Sequence, residues 1–316
     1  MAILKFWAAR LGQSAFVLWA AFTFSFVILY LLPSDPVSLL LGQDGAAGAP
    51  DAQTVAALNA EFGLDQGWIA QYFQRLGQFL TLDFGNSIQH RRPVTDLVAE
   101  VLPATLHLSL LALGLALVLG VALAVAASMT RMGWLRQVLQ SIPPTILALP
   151  GFWIGLVLLQ VFAFQLRWVP SLPNRGALSM ILPVVTLALP TAAIIGQILT
   201  KSLLGTWRQP FVQVARARGL SQWDILHRHV ARNAILPALT MAAIIFGNLL
   251  TGTIITETVF SRGGLGRLIE RAVTQQDIPL VQFMVVFSAF VFVVINLLVD
   301  AAYPALDPRI RRPRAV

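Results

Sequence analysis

Two histidines flank an arginine in "HRH", His227 to His229, and a carboxylate, Glu257, sits at the edge of an apolar run with Ser261 four residues on. Paired imidazoles can hold zinc, a serine beside glycines can act as a nucleophile, and a carboxylate in hydrocarbon can relay protons. Spacing argues against the first two. Positions i and i+2 of a helix point to different faces, and no carboxylate or third histidine follows His229 at ligand spacing. Ser261, in "FSRGG", lacks a base, and the G-x-S-x-G nucleophile turn does not occur. The histidines read as solvated helix side chains. Nucleotide chemistry is also missing: there is no G-x-x-x-x-G-K-S/T, no G-x-G-x-x-G after a strand, and no acidic pair placed to hold magnesium. With no cysteine in the chain, disulfides, thiolate metal sites, iron–sulfur clusters and thiol nucleophiles are excluded. No catalytic, cofactor or metal residue is assigned.

The elements that carry these residues are apolar. Of 316 residues, 57% are hydrophobic and 11% charged, against roughly 25% charged in soluble domains. Runs such as "FVLWAAFTFSFVILYLL" (16–32) and "HLSLLALGLALVLGVALAVAAS" (107–128) reach the length of about 20 residues that crosses a bilayer core. The expectation is an all-α integral membrane protein with six spans near 11–32, 104–128, 142–165, 180–204, 234–258 and 281–304. Pro143, Pro144 and Pro150 interrupt the third and Pro183 and Pro190 the fourth, and each should bend its helix. The first span is longer than a signal-peptide core and ends at "PSDP" without a small-residue cleavage pattern, so it reads as a retained anchor.

Fourteen of the 22 Lys and Arg fall on one side of these spans: at Lys5 and Arg10, at Arg131 and Arg136, in the 201–233 loop, and in the tail from Arg309 to Arg314. The positive-inside rule puts that side, with both termini, in the cytoplasm. The opposite side receives 33–103, which holds eight of the fourteen acids and reads as a helical cap followed by the turn-like "LDFGNS". The expected organisation is a first span with its cytoplasmic end (1–32), an outer segment (33–103), a membrane core (104–304) carrying the 201–233 loop, and a basic tail (305–316). The formal charge of +8 is explained by this topology, and nucleic acid is not an expected partner. Gln160, Gln197, Asn248 and Glu257, with Asn296, lie within or at the edge of spans. Such groups face other helices or a wet cavity, so they serve as helix–helix glue or line a path.

The polar loop contains "FVQVARARGLSQWDILHRHVARNAILP" (211–237), which reads as two short helices. Pro210 suits a first helical position, Phe211, Val214 and Ala215 form an apolar stripe, and Gly219 can take the left-handed conformation that ends a helix. Ser221 stands three residues before Asp224, a serine N-cap with an acid at N3. A basic amphipathic segment lying on anionic lipid would explain the arginines but not a glycine elbow in its middle.

This loop resembles the coupling loop of binding-protein-dependent ABC importer permeases, in the form of the dipeptide, oligopeptide and nickel group. "LPSDPVSLLLG", "LDFGNSIQHRRPVTDLVAEVLPATLHLSL", "ETVFSRGGLGRL" and "LVDAAYPALDPRIRR" resemble further segments of that group, in the same order. Gln213, Val214 and Ala215 stand where the loop's nominal Glu-Ala-Ala falls, so only the last alanine is kept, and Arg262 and Gly263 replace an aromatic and a proline. The resemblance implies a type I ABC importer permease fold in a bacterial inner membrane. It also implies a homologous permease partner, two ATPase subunits that bind ATP and magnesium, an extracytoplasmic solute-binding protein, and contacts with membrane lipid. Ala215 and its neighbours would pack in a groove on the ATPase, Gly219 would allow the turn, and Arg216 and Arg218 would pair with ATPase acids or lipid phosphates, with Asp224 capping the second helix. Gln160, Gln197, Asn248 and Glu257 are path candidates. Cargo would be a short peptide, or nickel as the alternative. An ion-coupled secondary transporter is a rival of another class, for which only Glu257 and Asp300 offer a buried ionisable relay, both near span ends.

Overall fold

The computed structural model describes residues 2–31, 67–170 and 176–306. The first half of the 33–103 segment, expected to lie outside, and nearly all of the basic tail fall outside the described residues. Twelve α-helices follow one another here: α1 (Ala2–Leu31), α2 (Trp68–Leu80), α3 (Val94–Met129), α4 (Gly133–Leu147), α5 (Gly151–Leu158), α6 (Ile181–Trp207), α7 (Pro210–Ala217), α8 (Gln222–Ile225), α9 (Ala231–Thr240), α10 (Ala242–Val259), α11 (Leu265–Thr274) and α12 (Ile278–Leu306). A π-helical turn extends α5 over Leu159–Gln165, a second joins α8 to α9 over Leu226–Val230, and a 3-10 turn, Ala177–Met180, precedes α6. Among the described residues there is no strand, only an isolated bridge between Asn86 and Pro93.

Among the described residues, four helical stretches are long and apolar enough to cross a membrane: Trp7–Leu29, Val94–Met129, Ala177–Trp207 and Ile278–Leu298. A fifth is formed if α4 and the α5 segment count as one, but they meet at 100°. The expected third span, 142–165, with bends at its prolines, is therefore two helices. Pro150 explains the break: it lacks a donor and keeps Leu149 away from helical geometry, and its own ψ is 135°. Pro143, Pro144 and Pro190, by contrast, remain inside helices. The second span begins earlier than expected, at Val94, and runs through Pro103. At about 1.5 Å per residue its 36 residues reach about 54 Å, well beyond a hydrocarbon core of about 30 Å.

The chain divides into two compact units. One comprises Met1–Pro103 and Gly263–Val294. Its core packs Val94, Leu97 and Val98 against Ala272, Leu280, Val281, Phe283 and Met284. Aromatic rings extend it, with Tyr72 edge-on to Phe26 at 5.3 Å and Phe84 edge-on to Phe283 at 4.7 Å. Asp277, 1% exposed, ties the turn before α3 to the start of α12. Its carboxylate accepts from the Ser87 hydroxyl, from the Ile88 amide at 3.2 Å, and from the Leu280 amide at 3.4 Å.

The other unit comprises Ala104–Arg262 and Ile295–Val316. Leu108, Ala112 and Ala116 of α3 pack with Leu187, Ala188, Ala192 and Ile195 of α6 and with Ile245 and Leu249 of α10. In an apolar solvent, close helix approach depends on small residues. A Cβ on Gly120 would stand 2.9 Å from the Ala192 carbonyl oxygen, and one on Gly196 would stand 3.4 Å from the Gly120 oxygen. These two glycines let α3 and α6 meet backbone to backbone. Gly155 similarly faces Thr186 and Val259, each 3.3 Å from a Cβ built there, whereas Gly151 meets nothing within 4 Å.

Candidate functional site

The loop after α6 is built by local rules. Pro210 starts α7 at N1, where its missing donor costs nothing. The helix ends through two bonds that run backward: Leu220 N–H donates to the Ala215 carbonyl at 3.3 Å and Gly219 N–H to the Arg216 carbonyl at 2.9 Å. With Gly219 at φ +80°, this is the six-to-one and five-to-two pattern of a Schellman stop. The expected end at Arg218 or Gly219 is met, with Arg218 as C-cap. Ser221 then caps α8, its Oγ accepting from the Asp224 amide at 3.1 Å while its hydroxyl donates to the Asp224 carboxylate. The elbow is thus fixed by residues 215–224 alone.

Packing decides which face it shows. Val212 and Ala215 turn inward, with Ile225, Leu226, Val230 and Ala234 of the following segment, onto Ala124 of α3 and Leu203 of α6. Phe211 and Val214 turn outward, at 38% and 53% exposure, as does Trp223 at 60%. The expected single stripe of Phe211, Val214 and Ala215 is therefore split. Ala215 is 6% exposed and anchors the loop to its own chain. The i, i+3 spacing that puts Val212 and Ala215 on one face puts Phe211 and Val214 on another. Gln213, Arg216 and Arg218 are exposed, and the Arg216 guanidinium lies 5.7 Å from the centre of the Trp207 ring, within cation–π range.

The polar residues of the spans separate into two groups. Gln160, in the π-helical turn, Gln197 on α6 and Asn248 on α10 are exposed on the chain's surface. Gln197 lines a recess of about 500 Å³ with Gln140, Thr200, Lys201 and Arg208. Glu257, in contrast, is 1% exposed and accepts a 2.6 Å hydrogen bond from the Thr105 hydroxyl of α3. It pins α10 to α3. Arg262, just past that helix, has its guanidinium pulled below its ordinary pKa by burial, while the charge of Glu257 opposes the shift. His227 and His229 are exposed, and no group of three or more metal-ligating side chains occurs among the described residues.

The described helices form a core with membrane-length elements that carries an exposed, glycine-stopped elbow. Residues 116–312 match the family described as the inner membrane component of binding-protein-dependent transport systems, and residues 3–109 match the N-terminal family of the same membrane components. The chain belongs to this family of permeases. It is 33% identical over 310 residues to a Brucella abortus protein named for a peptide transport system permease, covering 96% of this chain and 97% of the relative. It is 34% identical over 286 residues to the glutathione transport system permease protein GsiC of Salmonella choleraesuis, covering 90% and 92%. Among solved structures, an inward-facing MetNI methionine ABC transporter shares its fold at TM-score 0.54 and 16% identity, covering 67% of this chain and 96% of that one. A crystal structure of an amino acid ABC transporter does so at 0.51 and 17%, covering 66% and 92%.

Proposed function

We propose that this permease is one of two homologous membrane subunits of an ATP-driven importer of short peptides, and that the 201–233 loop is its contact with an ATPase subunit. The observation that carries the reading is the elbow at 215–224. One face of α7 is locked to the membrane core through Val212 and Ala215, and the other offers Phe211 and Val214, with Gln213, Arg216 and Arg218 around them. A rigid lever with an apolar tip and a basic rim suits docking into a groove on a soluble motor. ATP and magnesium would be bound by two such motor subunits. Movement of the elbow would pass through the packing of Val212 and Ala215 on α3 and α6 into the membrane core, rocking one permease against the other to alternate access.

In this reading the chain crosses the membrane six times, with the bent α4 and α5 pair as the third crossing and α9 with α10 as the fifth. Both termini and the loop face the cytoplasm, and 33–103 faces outward toward a solute-binding protein. Gln160, Gln197 and Asn248, exposed on the chain's own surface, would meet the partner permease or line the path. The names of the relatives favour a peptide over nickel, since glutathione is itself a tripeptide.

Val214→Asp tests the docking role. Val214 is exposed, so the change should leave expression and membrane insertion near normal while the ATPase no longer co-purifies and uptake falls at least about tenfold, the loss expected when a buried interface anchor is replaced by an unpaired charge. Undiminished co-purification and uptake would overturn the assignment.

A further inference from the structure

At the ends of α3 and α6, four arginines converge on one small cavity. Arg131 and Arg136, from the start of the α4 region, Arg208 after α6 and Arg216 of α7 line about 220 Å³, with Ser128, Thr130, Trp207 and Gln222 among the remaining walls. No carboxylate lines it. The volume corresponds to about seven water molecules at their liquid share of about 30 Å³ each, room enough for a phosphate group with part of its ester.

Neutralisation of helix ends accounts for part of this charge. Arg136 Nη2 donates to the Thr130 carbonyl just beyond α3 at 2.6 Å, and each helix C-terminus carries about half a negative charge. Two such ends offset roughly one of the four positive charges and leave about three. A second observation points the same way. Arg136 Nε and Trp207 Nε1 are buried donors without a hydrogen-bond partner, and both residues line this cavity. Buried donors left unpaired are costly, and an anion in the cavity would satisfy them.

We infer that this cavity binds the phosphate group of an anionic phospholipid from the leaflet on the loop side of the membrane. The depth selects a lipid. The cavity lies where two membrane-length helices end, with Trp207 in its wall and Trp134 exposed nearby, the setting in which interfacial tryptophans and headgroups meet. Basic pockets between membrane helices on the cytoplasmic side are suited to such headgroups. A phosphate there would touch the α3–α4 connection, the end of α6 and the first helix of the elbow together, and so brace the loop against the core. The site stands on the membrane character of the chain and not on the proposed transport role, so the two can fail separately.

The test is native mass spectrometry of the purified transport complex exchanged into micelles with equal amounts of phosphatidylglycerol and phosphatidylcholine. Phosphatidylglycerol should be retained with a preference of about fivefold or more, the scale of one basic side chain near a membrane surface. Arg131→Gln with Arg208→Gln should abolish that preference, and Arg131→Lys with Arg208→Lys should keep part of it, which separates lost charge from lost folding. Equal retention of the two lipids, or an unchanged preference in the glutamine variant, would overturn the inference. Displacement of the bound lipid by millimolar inorganic phosphate would also overturn it, by showing a site for a soluble anion.

Discussion

Gly219 is the residue on which the elbow turns. Nothing stands within 4 Å of a Cβ built there, so space is not the constraint; the φ of +80° is. An L side chain in that region costs about 1 to 2 kcal/mol, because its Cβ crowds the following carbonyl. Gly219→Val should leave insertion and expression near normal and sharply reduce both ATPase co-purification and uptake, which parallel pull-down and uptake assays measure. If the loop served only to lie on lipid, the bent segment would still bind the surface and transport would persist. Glu257 supports a different kind of prediction. Glu257→Gln keeps an acceptor for the Thr105 hydroxyl, whereas Glu257→Leu removes that hydrogen bond between α10 and α3 at a cost of about 0.5 to 1.5 kcal/mol. Thermal unfolding in detergent should therefore shift down for the leucine variant and stay near wild type for the glutamine. A glutamine variant with normal unfolding and no uptake would instead put Glu257 on the path. The serine cap at Ser221 and the acid at Asp224 were readable from spacing alone, because a cap is satisfied within four residues.

Among the elements, the contact of α3 with α6 organises the second unit. Gly120 has backbone and Ile195 within 3.0 Å of its built Cβ, while Gly114 on the same helix has nothing within 4 Å. Gly120→Val must push α3 from α6, an overpacking cost of about 1 to 3 kcal/mol, and should lower the yield and unfolding temperature of the purified permease. Gly114→Val should change them little. Equal effects would show that helix propensity, not the close approach, governs the result. The bend between α4 and α5 belongs to this scale too. Three candidate prolines stood in the third expected span, and only Pro150 breaks it, since Pro143 and Pro144 are accommodated within α4. Proline marks where a helix can yield; the neighbours decide where it does. Here α4 and α5 both pack on α6.

For the whole molecule, the distribution of Lys and Arg predicts the orientation. In intact spheroplasts of a strain carrying the naturally cysteine-free chain, Gln74→Cys should react with an impermeant thiol reagent and Arg232→Cys should be protected. The reverse pattern would invert the topology. The sequence by itself determined the apolar, mostly helical character of the described residues, the family, and the place and capping of the elbow. The family rests on the resemblance of several motifs in order along the chain, and the others rest on composition or on bonds between near neighbours. It could not determine which way the elbow faces. Phe211, Val212, Val214 and Ala215 are all apolar, and only packing onto Ala124 and Leu203 turns Val212 and Ala215 inward and leaves Phe211 and Val214 exposed. Nor could it pair Glu257 with Thr105, 152 positions apart, or gather Arg131, Arg136, Arg208 and Arg216 around one cavity. In a membrane helix, lipid-facing and protein-facing sides are equally apolar, so hydropathy locates the helix and says nothing of its rotation. Rotation is fixed by small residues and polar partners brought together from distant parts of the chain, and that is what the tertiary structure supplied.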